Sequence, residues 1–509
     1  MQFGLNIFII YVSAKQSKAK QSKAKQSKAK QSIIYLIIIS VTGCILLYVA
    51  YRSYNLSFTH DEAHTFKILL GDRHVANTAN NHLLNTWLAT LFYHVFGSSE
   101  FVLRLPNLLA FILFAFFVSR YLSGLRSIML TVIGVSVLML NHYMLDFFSL
   151  ARGYGLALAF EFAALCILLQ RNKDENFRSL ALRTGLALLF SLAAALANLS
   201  FLNLNIAMVF IVLLEILHIN RKRSIQLRMK HYLVFAGMLL INFIAFYFLV
   251  QQLLFLFHHN ELYIGGKDSL IDSTLTILIH RSIYLSYYGE YFWMYLRLGV
   301  IGVIVIAFLS RLFGTKYTGL SRMIIILSIL ISATVFQHYL YDTLYPTERA
   351  SLVFLPVFSF ILFLLIMETG EQIRNLKIRL PFYALVILII SSPIVYHFGK
   401  NLNYQYTLEW RNDAHNRELM RYIENDLKDY SGEEKVRIAA DWYYEPVINY
   451  YRISMRIAHL DSITRTDQTE GAKYLYFKNQ NLPDSVVRGQ YKTIMKFDDI
   501  QTTFWMKMP

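Results

Sequence analysis

Cysteine is almost missing from this chain. Only Cys44 and Cys166 occur in 509 residues, and both fall inside long apolar runs, so no disulfide framework is implied. Charge is scarce too. Some 16% of residues are charged against 56% hydrophobic and 15% aromatic, which excludes a set of soluble domains and points to a bilayer. Acids are the scarcer sign, 33 against 49 Lys and Arg, for a formal net charge of +16. Seven lysines precede Ile33, and without them the charge is +9. The rest of the excess lies largely in short loops, where membrane topology accounts for it, so no nucleic-acid partner is implied. The two halves also fail to repeat one another in hydropathy, as many transporters do.

What is present is a series of apolar runs close to the ~17 to 25 residues that cross a bilayer. About eleven can be counted, over 33–51, 105–122, 127–145, 155–169, 184–199, 202–219, 232–257, 291–312, 323–341, 351–367 and 381–398. Alternate connections are basic: the lysine-rich leader, "QRNKDENFRSLALR", "RKRSIQLRMKH", "RLFGTKYTGLSR" and "GEQIRNLKIRL". Lys and Arg collect on the cytoplasmic side, which puts these inside and connections such as "FFSLARGY" and "DTLYPTERAS" outside. An odd number of spans leaves the N-terminus cytoplasmic and the C-terminal segment outside. "VTGC" before Cys44 looks like a lipoprotein cleavage box, but the apolar "ILLYVAY" after it fits an uncleaved span.

Three units follow. Residues 1–32 form a basic cytoplasmic leader, with "QSKAK" three times in tandem and no hydrophobic face; it reads as disordered, orienting the first span or tethering to anionic lipid. Residues 33–398 form a transmembrane domain with two long external loops, 52–104 and 258–290, the first carrying helices that lie along the membrane surface. Residues 399–509 form a small extracytoplasmic α/β domain, with helices expected at "NRELMRYIENDL" and "EPVINYYRI" and strands at "VRIAAD", "KYLYF" and "TTFWMKM".

The first external loop opens with "THDEAHT", residues 59–65. Its two histidines have the spacing of a zinc helix, but that motif needs a glutamate directly after the first histidine, where this chain has Asp61. The acids are the stronger feature. On spacing alone, Asp61 and Glu62 suit a solvated helix start, favoured by the helix dipole. Neighbours on a helix point about 100° apart, so the two cannot flank one glycosidic bond as a hydrolase pair does.

Their company changes the reading. After the acidic pair come Asn80-Asn81-His82, an apolar helix, Phe96-Gly97-Ser98-Ser99-Glu100-Phe101, Leu103-Arg104-Leu105-Pro106 and, after another span, Ala151-Arg152-Gly153-Tyr154. As an ordered set these pieces resemble the GT-C membrane glycosyltransferases, specifically bacterial members related to protein mannosyltransferases and lipid A aminoarabinose transferases. The match is close over the first third of the chain and continues in hydropathy and in "YPTER", residues 345–349. Leu83 stands where the family usually has proline.

The resemblance implies transfer of a sugar, with inversion, from a polyprenyl-phosphate carrier to a hydroxyl acceptor on the outer face of a bacterial inner membrane. Asp61 would be the general base, supported by Glu62. Asn81, His82, Arg152, Tyr154 and Arg349 would bind the donor phosphate or substrate, and Arg104 would fix the loop to the second span. Arg152, Arg349 and Tyr154 also suit plain interfacial anchors, and His82 a helix cap. A divalent metal is compatible with the resemblance, although the sequence nominates no ligand set. The rival reading is a multi-pass transporter or lipid-linked-sugar flippase, which Glu161 and Glu215 inside apolar runs would suit.

Overall fold

The computed structural model describes residues 2–170, 176–222, 228–314, 317–465, 469–481, 487 and 489–508. The apolar runs become helices because a backbone in hydrocarbon must satisfy its own N–H and C=O groups. Among the described residues nine helices are long and apolar enough to cross a membrane, from Lys28–Asn55 to Leu376–Lys400. A tenth crossing arises if Ile128–Met139 and His142–Ser149, bent by 59° at their break, form one span. The run expected at 155 is the 17-residue helix Gly153–Leu169, shorter than the others, so the count of eleven is not reached. Met229–His258 turns side chains such as Leu240, Ile241, Phe243 and Phe248 outward, a continuous apolar face that belongs in lipid. The chain is a multi-pass membrane protein.

The leader departs from expectation. Instead of being disordered it continues the first helix, which runs from Gln2 to Asn55. Gln, Lys and Ala are all strong helix formers, and a helix already nucleated in the span extends through them at little cost.

Inside the bundle, buried charges are mostly paired. Glu215 takes Arg322 at 2.7 Å and Arg183 at 3.1 Å, tying three spans together, and Arg52 meets Asp146 at 2.5 Å. Glu161 differs: it is fully buried, and neither carboxylate oxygen has a hydrogen-bond partner among the described residues.

One face of the bundle carries the first loop, the 258–290 segment and the C-terminal domain. The first loop holds helices His60–Leu69 and Leu83–Phe96. Trp87, Leu91 and Val95 on the second, four residues apart, form an exposed apolar stripe. The 258–290 segment is pinned by a two-hydrogen-bond bridge between Gly266 and Tyr345, at 3.0 and 2.9 Å. A Cβ on Gly266 would lie 2.1 Å from Ser273 Oγ and 2.3 Å from Ser273 Cβ, so only glycine lets this segment lie against helix Leu270–Thr276.

The C-terminal domain is a four-stranded sheet with strands β1 (Ile438–Ala440), β2 (Tyr474–Lys478), β3 (Tyr491–Phe497) and β4 (Thr502–Lys507), in the order β1-β2-β4-β3. β1 and β2 are parallel, and the crossover between them contains helix Glu445–Ser454. That helix and Asn416–Asp426 pack on Tyr474, Tyr476 and Phe504. The same apolar core includes Phe58, Ala63 and Phe66 of the first loop, so domain and loop are welded together. Phe58 stacks on Tyr450 at 3.8 Å, and Lys67 pairs with Glu445 at 2.8 Å.

Candidate active site

The two neighbouring acids go separate ways. Thr59 caps helix His60–Leu69 in a reciprocal capping box: the Glu62 backbone donates to Thr59 Oγ1, and the Thr59 backbone donates to Glu62 Oε2 at 2.9 Å. Arg104 then grips Glu62 with Nε and Nη2, both at 2.7 Å, while the Ala151 backbone donates to Oε1 at 2.6 Å. Arg104 also donates to the carbonyls of Ser53, Leu56 and Ser57. Glu62 is fully buried with its lone pairs occupied, so it holds the loop to the second span and has no path to a substrate.

One residue earlier, Asp61 points to the other side of the helix and into a cavity of about 1010 Å³. Two arginines meet at its Oδ2, Arg349 Nη1 at 2.9 Å and Arg152 Nη2 at 3.4 Å. These are ion pairs rather than aligned hydrogen bonds, since Oδ2 has no partner with donor geometry among the described residues. Burial pushes the Asp61 carboxyl up, but Arg349 and then Arg152 outweigh it and hold the group well below the usual carboxylate range. Asp61 is therefore ionised throughout neutral pH.

The arginines are held differently. Arg152 is 1% exposed and donates to Asp61 O, Thr65 Oγ1, Asn80 O and Asn80 Oδ1, between 3.1 and 3.3 Å. Arg349 follows Glu348, whose φ of +47° is unusual for a side chain of that size. The Arg349 side chain is 22% exposed, lies over the Trp410 ring at 5.1 Å and pairs with Asp61.

His82 caps helix Leu83–Phe96 through its backbone, and its ring meets Tyr154 edge-on at 5.0 Å. Its Nε2 is buried and unpartnered among the described residues. Burial, then Arg152 and Arg349, press the imidazole far below its ordinary value, so it is neutral. Gly153 makes this possible: a Cβ there would stand 2.0 Å from Ala197 O and 2.8 Å from His82 Cβ. Asn81 is busy locally, donating to Ala76 O at 2.8 Å and accepting from Thr86 Oγ1 at 3.0 Å.

Asp61, Asn81, His82, Arg152, Tyr154 and Arg349 thus line one cavity, and of the expected site residues only Glu62 does not. The opposite wall is apolar, built by Phe246, Val250, Leu253, Leu254 and Phe257 of helix Met229–His258. Sequence reasoning missed Lys67, Trp442 and Arg465, which line the same cavity, the last two from the C-terminal domain. The aromatic run "DWYYEP" marks Trp442 as unusual without placing it at the cavity.

The histidines of "THDEAHT" serve the domain contact. His60 stacks on Tyr443 at 4.6 Å, and its Nδ1 lies 2.6 Å from the Tyr443 carbonyl, which can only accept, so Nδ1 carries the proton. His60 Nε2 is then an acceptor for His64 Nε2, 3.1 Å away. Burial and the His60 ring push His64 down to about 3, so it is uncharged at neutral pH. Among the described residues no three His, Cys, Asp or Glu side chains are grouped to hold a metal, and two guanidiniums crowd Asp61. That donor set repels a divalent cation, so the residues present do not fit one.

Comparison with solved structures covers nearly the whole molecule. ArnT from Cupriavidus metallidurans bound to undecaprenyl phosphate superposes with a TM-score of 0.53 at 10% identity, over 92% of this chain and 97% of that one. The chain has the ArnT fold. ArnT from the same organism in the apo state gives a TM-score of 0.50 at 11% identity, over the same shares of both chains. No protein-family model and no curated protein sequence matches. The resemblance expected from the sequence is thus borne out at the level of the fold, over 92% of the chain.

Proposed function

We propose that this protein is a membrane glycosyltransferase that moves a sugar from a polyprenyl-phosphate carrier to a hydroxyl acceptor on the external face, with inversion. The observation that carries this reading is the convergence of Asp61, Arg152, Arg349 and neutral His82 on a cavity whose other wall is apolar. The apolar wall suits the isoprenoid chain, and the arginines suit its phosphate. The undecaprenyl phosphate bound in ArnT, on the same fold, supports a carrier of that class here.

The chemistry follows from placement. The acceptor oxygen attacks the anomeric carbon while the bond from that carbon to the phosphate oxygen breaks on the opposite face. The acceptor proton passes to the Asp61 carboxylate, and the bonding electrons leave on the carrier phosphate, whose growing charge Arg152 and Arg349 stabilise. Glu62 and Arg104 keep Asp61 in place without touching substrate. Trp442 and Arg465 bring the C-terminal domain to the cavity wall, where it can meet an acceptor.

Asp61→Asn tests the base. Purified variant should insert and stay folded, yet transfer from a polyprenyl-phosphate sugar should fall by roughly 10² to 10⁴. Wild-type transfer by Asp61→Asn would remove Asp61 from the mechanism, and movement of the donor across vesicles without release of free carrier would favour the flippase.

A further inference from the structure

A base as acidic as Asp61 is poorly matched to an alcohol, because general-base catalysis is most effective when the base titrates near the working pH. Two guanidiniums cause this, and only one is free to move. Arg152 is buried and anchored by four hydrogen bonds to the loop. Arg349 borders the cavity, makes no hydrogen bond among the described residues, and is held by its ion pair to Asp61 and the Trp410 face. Other charged or titratable groups around Asp61 add little positive charge: His60, His64 and His82 are all pressed toward the neutral form, Lys67 and Arg465 pair with Glu445, and burial pushes Asp413 toward its neutral acid.

We infer that Arg349 is an exchangeable partner: the phosphate of the incoming lipid carrier takes the Arg349 guanidinium from Asp61, and only then does Asp61 become a competent base. The inference rests on the proposed polyprenyl-phosphate reading and adds an order to it, donor before acceptor. The phosphodiester of the donor offers two non-bridging oxygens to a fork that Asp61 engages through one, so the exchange is favourable once the phosphate reaches the site. Before it arrives the base is held by its own ion pair, and water in the open cavity meets no active carboxylate. Arg349 acts on proton transfer through Asp61 and is in that respect a positioning residue, while it contacts the donor directly.

Linkage makes the inference measurable without knowing sugar or acceptor. If phosphate raises the proton affinity of Asp61, the charge on Asp61 must weaken phosphate binding by the same factor. The probe is undecaprenyl phosphate, titrated into the full-length protein in phosphatidylcholine nanodiscs at neutral pH. Asp61→Asn should bind it about tenfold tighter than wild type, and Arg349→Met at least tenfold weaker. A role for Asp61 in catalysis alone, or in stability alone, predicts no tightening. Infrared difference spectra of the wild type give a second reading that needs no substitution to fold: probe binding should shift an aspartate carboxylate band that is absent in Asp61→Asn. Binding by Asp61→Asn at or below wild-type strength, or by Arg349→Met at wild-type strength, overturns the exchange while leaving the glycosyltransferase reading intact. Failure of the wild type to bind the probe at all overturns both.

Discussion

Two carboxylates in this molecule each sit between two arginines, and they do opposite things. Glu215 divides its partners, with Arg322 on Oε1 and Arg183 on Oε2, and Leu168 O receives further donations from both guanidiniums. Asp61 meets both of its arginines at Oδ2, on the edge of a cavity. The first arrangement is closed and saturated, which is how a charge is stored permanently among spans. The second is crowded on one atom and open to a ligand, which is how a charge is kept ready for exchange. Composition alone does not separate a strut from a site; the distribution of contacts over the carboxylate oxygens does.

The largest effect should come from breaking the strut. Glu215→Ala leaves two buried guanidiniums without a counter-charge, a loss of about 3 to 5 kcal/mol in comparable buried pairs. Thermal unfolding in detergent should show a markedly less stable protein, or none that survives purification, whereas Asp61→Asn, whose arginines border the cavity, should lose less stability. Equal unfolding temperatures for Glu215→Ala and wild type would show that the cluster is open to solvent and that the contrast is false.

Next in size is Gly153→Ala, which tests how the site is shaped rather than charged. The added methyl would collide with Ala197 O and the His82 side chain, and overpacking of this kind costs ~1 to 3 kcal/mol. Unfolding should shift by that amount, and undecaprenyl phosphate binding should weaken as His82 moves. Unchanged binding would mean that His82 lies outside the phosphate site.

Much of this was legible in the sequence. Hydropathy located the spans, and the ordered motifs named five of the six expected residues that line the cavity in the first third of the chain. What failed did so for physical reasons. Glu62 reads like Asp61 in one dimension, and only the 100° turn between them, together with Arg104 reaching from 42 residues away, shows that one is a clamp. The count of eleven is not confirmed because Gly153–Leu169 is short and enclosed by protein: all but two of its 17 residues are buried, so its hydropathy does not by itself make it a crossing. Strand β3 was missed because its centre does not alternate: exposed Lys492 and Thr493, half-buried Ile494 and Met495 and exposed Lys496 stand between buried Tyr491 and Phe497, a weak pattern beside the stronger β4. Trp442 and Arg465 could not be placed from local sequence, since they reach the cavity through the docking of a domain more than 370 residues beyond Asp61.

A third carboxylate completes the contrast, with an effect confined to one pH window. Asp413 is buried on the same face as Asp61 but has no arginine. It accepts from the His60 backbone at 2.9 Å, from Tyr443 Oη at 2.9 Å and from Asn416 Nδ2 at 2.9 Å. Burial raises its carboxyl from 3.8 to about 7, the reverse of what the guanidiniums do to Asp61. Asn416 Oδ1 lacks a hydrogen-bond partner among the described residues, so a turned Asn416 amide can accept the proton that Asp413 retains. The sign of the pH effect follows. Between 3.8 and about 7 the unfolded chain ionises this group while the folded protein keeps it protonated, so its contribution to stability is complete below 3.8 and is lost as pH rises toward 7. Asp413→Asn removes the titration, and the difference in unfolding free energy between variant and wild type should change with pH across that window by at most about 1.4 kcal/mol per pH unit, flattening above 7. A difference that stays constant from pH 4 to 7 would mean that Asp413 is ionised in the folded state, and that some cation on the C-terminal face serves it as Arg349 serves Asp61.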